Sequence, residues 1–261
     1  MSITWKEYKE IVNDDLLRNK PIYRGQSNSS WPLVTSLHRT GLTNNASDLS
    51  VYFNQILPSV QEQVEAWDGT RRNLTEPNDM GQFLGFLQHN GFPTPLLDWT
   101  FSPYIAAYFA FEGVNHFKPD SDFVSIYRFD QAAWLSTFQQ TYDYNEEKSH
   151  VTLLKPTYRG NHKQMLQQGL FTFTNCIDIG QHVKLNETDD RKFLEKFDIS
   201  VKERDVVIRD LELMGVTMMQ LSPSVESVCK KAFMSLSSLL PVGPSPSDRV
   251  ESSESKAEAN C

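Results

Sequence analysis

Residues 104–112 constrain the fold of this sequence most, because apolar side chains lie on nearly every side of the helix that they predict. Ser102 followed by Pro103 predicts where this helix begins, since serine caps a helix and proline fits the first turn. A helix that is apolar all round is buried in a core. We therefore expect the chain to fold around this segment.

Composition is consistent with a folded globular protein. The chain has 261 residues, of which 39% are hydrophobic and 22% charged. This length corresponds to about one or two domains and is sufficient to bury a sizeable core. The net charge of −8 at pH 7 disfavours a protein whose main task is to grip a nucleic-acid backbone, and no dense basic run is present.

Periodicity and turn residues predict helices mixed irregularly with short strands. This order favours an α+β fold, a single mixed domain with short strands surrounded by helices, over regular alternation. The predicted helices are 4–19, 48–67 (one or two helices with Pro58 as a break), 78–89, 103–112, 189–197, 203–214 and 222–239. The predicted strands are 21–25, 123–129, 151–154 and 170–174.

The predicted domain covers residues 1–240. From residue 241 the sequence is rich in Pro and Ser and then in Ser, Glu and Ala, which cannot bury enough apolar area to fold. We therefore expect residues 241–261 to form a disordered tail.

The sequence predicts a cytoplasmic protein without a metal site. Its N-terminus lacks the basic and apolar segments of a secretory signal, and no apolar run is long enough to span a membrane. The cysteines are Cys176, Cys229 and Cys261, which are too few and too scattered for a disulfide framework or a zinc site. The histidines form no HxxxH or HExxH pattern.

Two polar segments contain the candidate site residues. In the first, Arg24 ends a predicted strand beside Gly25 and Gln26, where a guanidinium suits a phosphate or carboxylate. In the second, His89 and Asp98 flank one loop and could perform acid–base chemistry together. The alternatives are structural: Arg24 pairs with Asp98 or another buried acid, and His89 and Asp98 cap the adjoining helices.

The same segments resemble the FRG domain family, named for its Phe/Tyr-Arg-Gly motif. Tyr23-Arg24-Gly25-Gln26, with Trp31, Leu33, Ser36-Leu37 and Arg39 after it, is similar to the first family motif. The stretch 88–100, QHNGFPTPLLDWT, is similar to the family signature QHxGxPTRLLDWT, with Pro95 in place of the family's arginine. Later segments at 167–172, 214–217 and 221–223 extend the resemblance to about residues 20–235.

The resemblance implies an ADP-ribosyltransferase-like fold that uses NAD. The order of elements is similar to that of ADP-ribosyltransferases, in which a strand arginine helps to hold the dinucleotide. By this analogy Arg24 holds NAD, with Gln167 near the catalytic edge. The other residues implied to bind NAD or line its pocket are Tyr23, Gly25, Gln26, His89, Thr94 and Asp98. No residue matches the expected catalytic glutamate, and the acids to check are Glu112, Asp178 and Glu187.

Two other functions stay open at this stage. The chain could be a non-catalytic module that recognises a small ligand or a macromolecular partner, and FRG-like domains look like parts of bacterial and phage conflict systems, as toxins, sensors or adaptors. It could also be a hydrolase that uses His89 and Asp98. The sequence contains no GxGxxG, Walker or GxSxG motif, which excludes the commonest nucleotide-binding and serine-hydrolase classes.

Overall fold

The computed structural model describes residues 1–15, 20–115, 119–157 and 162–239. The chain divides into two compact units, Met1–Thr217 and Met218–Cys261. The end of the predicted first helix, 16–19, and the predicted tail, 241–261, lie outside the described residues. All the candidate site residues belong to the first unit.

The first unit is built on a six-stranded antiparallel sheet with helices around it, which confirms the predicted α+β class. The strand order is β4-β5-β2-β1-β3-β6. The strands are β1 (Ile22–Gln26), β2 (Leu96–Thr100), β3 (Phe123–Phe129), β4 (Val151–Leu154), β5 (Gly169–Thr174) and β6 (Leu194–Ser200).

The helices of the first unit surround this sheet. They are α1 (Trp5–Asp15), α2 (Ser36–Arg39), α3 (Ala46–Val51), α4 (Leu57–Asp68), α5 (Pro77–His89), α6 (Pro103–Glu112), α7 (Gln131–Thr137), α8 (His162–Leu166), α9 (Ile179–Leu185) and α10 (Arg204–Leu213). A π-helical stretch, Tyr52–Ile56, joins α3 to α4, and a short 3₁₀ turn, Val201–Glu203, precedes α10. The second unit contains α11 (Met218–Leu221) and α12 (Val225–Leu239).

Two apolar clusters cover the strands on opposite sides. In β2, Leu97 and Trp99 belong to one cluster, whereas Leu96 belongs to the other, as side-chain alternation in a strand requires. The first cluster includes residues of α7 and α9, and the second includes residues of the π-helix and α5. Because β2 is covered on both faces, its sequence reads as a nearly continuous apolar run rather than an alternating one.

Helix α6 is buried, as the sequence predicts, and the structure places it against β1. The side chain of Ser102 caps the helix by accepting a hydrogen bond from the backbone N–H of Ile105 at 3.2 Å. A Cβ atom on Gly25 would lie 2.0 Å from the carbonyl oxygen of Ala106 and 2.7 Å from the nitrogen of Ala110. Glycine at position 25 therefore allows α6 to lie directly on the backbone of β1.

Three sequence predictions need correction. Residues 189–197 do not form a helix, because 194–200 form β6, which pairs with β3 along its whole length. Residues 96–100 are a strand rather than loop, so Asp98 lies inside β2 and caps no helix. Pro58 does not break a helix, because the helical stretch continues from the π-helix through Pro58 into α4.

In the part of the chain that the structure describes, no helix combines the length and the apolar character needed to cross a membrane.

Candidate functional site

The two halves of the sheet are joined by one residue pair. Strands β1 and β2 pair only at Tyr23 and Thr100, whereas β1 with β3 and β2 with β5 pair along five residues each. Beyond that pair, towards Gln26 and Leu96, no backbone pairing connects β1 with β2 among the described residues. We call this opening the seam.

Arg24 spans the seam. Its Nη1 donates a hydrogen bond to the backbone carbonyl of Asp98 at 2.8 Å and lies 3.8 Å from Oδ2 of the same residue. The side chain of Arg24 is 17% exposed, and its buried Nε has no hydrogen-bond partner in the described part of the chain. Burial lowers the pKa of Arg24; the Asp98 carboxylate opposes this shift, and the Arg39 guanidinium adds to it.

A chain of hydrogen bonds connects Asp98 to helix α2. Gln88 Nε2 donates to Asp98 Oδ2 at 2.7 Å, and the Thr94 hydroxyl donates to Gln88 Oε1. The Ser36 hydroxyl then accepts from the backbone N–H of Thr94 at 2.9 Å and donates to its carbonyl at 3.2 Å. The polar groups of the second motif thus hold one another and the loop before β2 in place.

A pocket of about 230 Å³ opens at the seam. One part of its wall is polar and carries two guanidinium groups and one carboxylate, and the rest is formed by apolar side chains and a glycine. The lining residues are Arg24, Ser36, Arg39, Gln88, Gly91, Phe92, Pro93, Leu96, Leu97 and Asp98. The mixed wall fits a small ligand with an anionic part and an apolar part.

The π-helix supports the apolar wall of this pocket. Tyr52 donates a hydrogen bond from its hydroxyl to the carbonyl of Pro93 at 3.0 Å, and its ring lies 6.0 Å from that of Phe92. Gly91 follows the end of α5 with φ at 85°, a left-handed conformation that favours glycine. The loop 90–95 is therefore fixed by α5 at one end and by Tyr52 near its middle.

Arg24 and Asp98, which the sequence analysis singled out, both line the pocket. Three other predicted ligand contacts do not. Tyr23 is buried and donates its hydroxyl to Asp15 at 2.5 Å, and both burial and that carboxylate raise the pKa of Tyr23. Gly25 makes room for α6 rather than for a ligand. Gln26 is buried and donates to the carbonyl of Pro32 at 3.2 Å.

Thr94 and His89 lie next to the pocket without lining it. Thr94 is fully buried and acts through Gln88 and Ser36. His89 is the exposed last residue of α5. Partial desolvation of its ring lowers the pKa of His89; the Asp98 carboxylate opposes this shift, and the Lys163 charge adds to it. The described residues show no hydrogen bond or ion pair between His89 and Asp98, although the Asp98 charge acts on His89.

Gln167 lies at the other end of β2. Its carbonyl accepts a hydrogen bond from the Thr100 hydroxyl at 2.7 Å, and the carbonyl of Gln168 accepts from the backbone N–H of Phe101 at 3.1 Å. The pocket opens at the Leu96 end of the strand, so Gln167 does not line it. The segment 167–172 thus connects the turn before β5 to the end of β2 through these hydrogen bonds.

None of the three acids considered for the missing glutamate lines the pocket. Glu112 is the last residue of α6. Asp178 caps α9 by accepting from the backbone N–H of Gln181 at 3.1 Å. Glu187 accepts backbone bonds from residues 193 and 194 at 2.8 and 2.9 Å. Asp98 is thus the only carboxylate among the described residues that line the pocket.

Sequence reasoning missed Ser36, Arg39, Gln88 and Phe92 as site residues. All four belong to the motif segments around residues 23–39 and 88–100, so membership of those segments was the available signal. What the sequence alone did not reveal is that α2 and the end of α5 meet at the seam. Among the described residues, no group of histidine, cysteine or acidic side chains is arranged to hold a metal ion.

Comparison with known proteins gives one match. No curated protein and no solved structure matches the chain. The sequence model of the FRG domain matches residues 19–119 and ends before the predicted later motifs. This segment contains β1, β2, α2, α5, α6 and every lining residue of the pocket. Residues 19–119, less than half of the chain, are therefore similar to the FRG domain.

Proposed function

We propose that the pocket at the seam binds NAD and that the chain is an ADP-ribosyltransferase-like enzyme with Asp98 as its catalytic carboxylate. The observation that carries this proposal is the grouping of Arg24, Arg39 and Asp98 around one pocket at an opening in the sheet. Guanidinium groups suit the phosphates of a dinucleotide, and a carboxylate suits the positive charge that develops on the ribose.

The size of the pocket limits how NAD would bind. Its volume of about 230 Å³ lies below the range of roughly 300–1,000 Å³ typical of sites that enclose a drug-sized ligand. The pocket therefore holds one end of a dinucleotide, and the remainder extends outside it. Phe92 and Leu97 offer apolar contact area to a ring, while Arg24 and Arg39 offer positive charge.

The reaction would transfer the ADP-ribosyl group that NAD supplies. The bond between ribose and nicotinamide breaks, nicotinamide leaves with the electron pair, and a nucleophile on the acceptor, or water, forms the new bond and loses its proton. Asp98 would stabilise the oxocarbenium-like transition state. Its side chain is 50% exposed, and the bond from Gln88 fixes one carboxylate oxygen.

The test is NAD turnover by the full chain and two matched variants. In Asp98→Asn the amide oxygen can still accept from Gln88, whereas Glu112→Gln neutralises an acid outside the pocket. Nicotinamide release is measured together with label transfer from NAD to a bacterial lysate treated with nuclease or protease. We expect wild type and Glu112→Gln to be active and Asp98→Asn to lose about 100-fold or more.

Equal activity of Asp98→Asn and the wild type, or no nicotinamide release by folded wild type, would contradict the proposed enzyme. The lysate treatments identify the acceptor, because nuclease removes label from nucleic acid and protease removes it from protein. The family resemblance suggests a toxin or defence effector, and the acceptor would show which cellular component such an effector modifies.

A non-catalytic recognition module is the second candidate, and one observation favours it. Asp98 already accepts a hydrogen bond from Gln88 and lies beside Arg24, and no second acid lines the pocket among the described residues. A carboxylate held in this way can serve as a structural counter-ion. Binding of NAD without nicotinamide release would assign the chain to this class.

A further inference from the structure

We infer that Arg39, rather than the motif arginine Arg24, binds the phosphate of the ligand. The identity of the ligand rests on the proposed function, but the inference concerns any ligand with a phosphate group. Three observations support it: the burial of Arg24 beside the Asp98 carboxylate, the exposure of the Arg39 guanidinium, and the local charge of the pocket.

Arg24 is more tightly enclosed by the protein than Arg39: each donates one side-chain hydrogen bond to a backbone carbonyl, but the Arg24 side chain is only 17% exposed and lies beside the Asp98 carboxylate. Its Nη1 supplies the hydrogen bond that β1 does not give to the Asp98 carbonyl, because the strands are unpaired at this point. The side chain is mostly buried, and burial lowers its pKa, so the protein environment disfavours its charge. A ligand that pulled Arg24 away would leave a backbone carbonyl without a partner, which costs about 1–3 kcal/mol.

Arg39 has donors available for a ligand. The residue is exposed and lines the pocket from the end of α2, one helical turn after Ser36. Its Nη1 donates to the carbonyl of Val34 at 2.9 Å, which holds the guanidinium in position. Among the described residues no carboxylate lies within ion-pair distance of it, so its remaining N–H groups can form the two parallel bonds that a phosphate accepts.

The charge of the pocket points to an anion. Two guanidinium groups face one carboxylate there, although the whole chain has a net charge of −8. The Arg39 charge lowers the pKa of Arg24, which means that the two cations act on each other across the pocket. A bound phosphate would relieve this repulsion, and a neutral ligand would not.

The experiment compares Arg39→Gln with Arg71→Gln, in which an exposed arginine that does not line the pocket is changed in the same way. The probes are inorganic pyrophosphate and ADP-ribose, which carry phosphate, and adenosine, which does not. Calorimetry on the full chain gives each Kd, and thermal unfolding checks that the variants are folded. Both positions are exposed, but Arg39→Gln also removes the hydrogen bond to the Val34 carbonyl, so the affinities are compared only after Tm shows that each variant is folded.

We expect Arg39→Gln to weaken pyrophosphate and ADP-ribose by about 10-fold or more, the value of a hydrogen bond to a charged group. Adenosine binding should be unchanged, and Arg71→Gln should behave like the wild type. Raising the salt concentration should weaken ADP-ribose binding less in Arg39→Gln than in the wild type, because one charge contact is gone.

Equal affinity of Arg39→Gln and the wild type for both phosphate probes would overturn the inference, and so would a folded wild type that binds neither probe. The proposed function fails separately. If Arg39→Gln loses ADP-ribose while the wild type never releases nicotinamide, Arg39 is the phosphate contact of a non-catalytic module. If the wild type turns over NAD and Arg39→Gln binds both probes normally, the proposed enzyme activity is supported and the role of Arg39 in phosphate binding is contradicted.

Discussion

At the scale of single residues, Gly25 shows how a motif glycine can serve the fold. In the FRG-like motif it follows Arg24 directly, and the resemblance implied that it helps to bind NAD. In the structure the space that a side chain would need is occupied by backbone atoms of Ala106 and Ala110 in α6. The motif therefore places Arg24 at the seam and, in the next residue, allows α6 to pack directly on the backbone of β1.

We predict that Gly25→Ala destabilises the protein by about 3 kcal/mol or more, because α6 must move away from β1 and backbone atoms cannot rotate aside. Urea unfolding measures the loss. Gly41→Ala is the control, since position 41 has open space and only its φ of 71° opposes a side chain, at about 1–2 kcal/mol. Equal losses in the two variants would show that packing against α6 is not the cause.

His150 illustrates a titratable group that serves stability. The Thr152 hydroxyl donates to the carbonyl of Thr141 at 2.7 Å, so the contact of 3.3 Å between Thr152 and His150 Nδ1 requires the histidine to donate. Its Nε2 is buried and has no partner among the described residues. Burial, which removes water from the charged imidazolium, lowers the pKa of His150 to about 4.

This shift predicts a loss of stability in acid. The unfolded chain binds the proton near its ordinary pKa of 6.5, and the folded chain binds it near 4. The contribution of neutral His150 to the free energy of unfolding is therefore complete above pH 6.5. It is lost as the pH falls towards 4, by about 3 kcal/mol in total. Urea unfolding of the wild type and His150→Gln across this range should give a shallower pH dependence for the variant; parallel curves would contradict the assignment.

At the scale of elements, the seam is the feature that creates the site. Two three-stranded groups, β4-β5-β2 and β1-β3-β6, meet through the single pair of Tyr23 and Thr100. Fully paired central strands would have no gap there, and the guanidinium of Arg24 could not reach the carbonyl of Asp98. The site therefore exists because the sheet is incompletely paired at its centre.

We predict that Arg24→Met lowers the free energy of unfolding by about 1–3 kcal/mol, because the Asp98 carbonyl loses its donor. The ion pair with the half-exposed Asp98 carboxylate adds little at 3.8 Å. Arg209→Met on the exposed side of α10 is the control and should change stability by less than about 0.5 kcal/mol. A fully stable Arg24→Met variant would mean that the seam does not need this bond.

At the scale of the whole molecule, the site and the sheet belong to one compact unit. Every strand and every pocket residue lies within Met1–Thr217, and the FRG match lies within it as well. The second unit, Met218–Cys261, contributes α11 and α12 in its described part. We infer that the site can be separated from the second unit.

We therefore predict that a chain ending at Thr217 folds cooperatively and binds ADP-ribose with the Kd of the full chain to within about two-fold, since the pocket is complete in the first unit. Thermal unfolding and calorimetry are the measurements. A truncated chain that folds but no longer binds would show that the second unit supports the pocket.

The sequence by itself determined the elements whose signals are local. Ser102 and Pro103 mark the start of α6 within two residues, and its apolar surface predicts burial. Strands β1 and β3 and helix α10 follow from periodicity and from turn residues such as Gly215, which has φ at 79°. Arg24 and Asp98 were found as site residues because both lie in recognisable motifs.

The tertiary structure alone decided the rest. Strand β2 is a run of five residues whose apolar side chains are buried on both faces, so it has no period of its own. In β6, Leu194 and Phe197 are three residues apart, a spacing that favours a helix. Pairing with β3, some 70 residues earlier in the chain, overrides this local preference. Arg39 lines the pocket only because α2 lies against the seam. Contacts between segments that are distant in sequence produce no local sequence pattern, so the sequence alone could not predict this one.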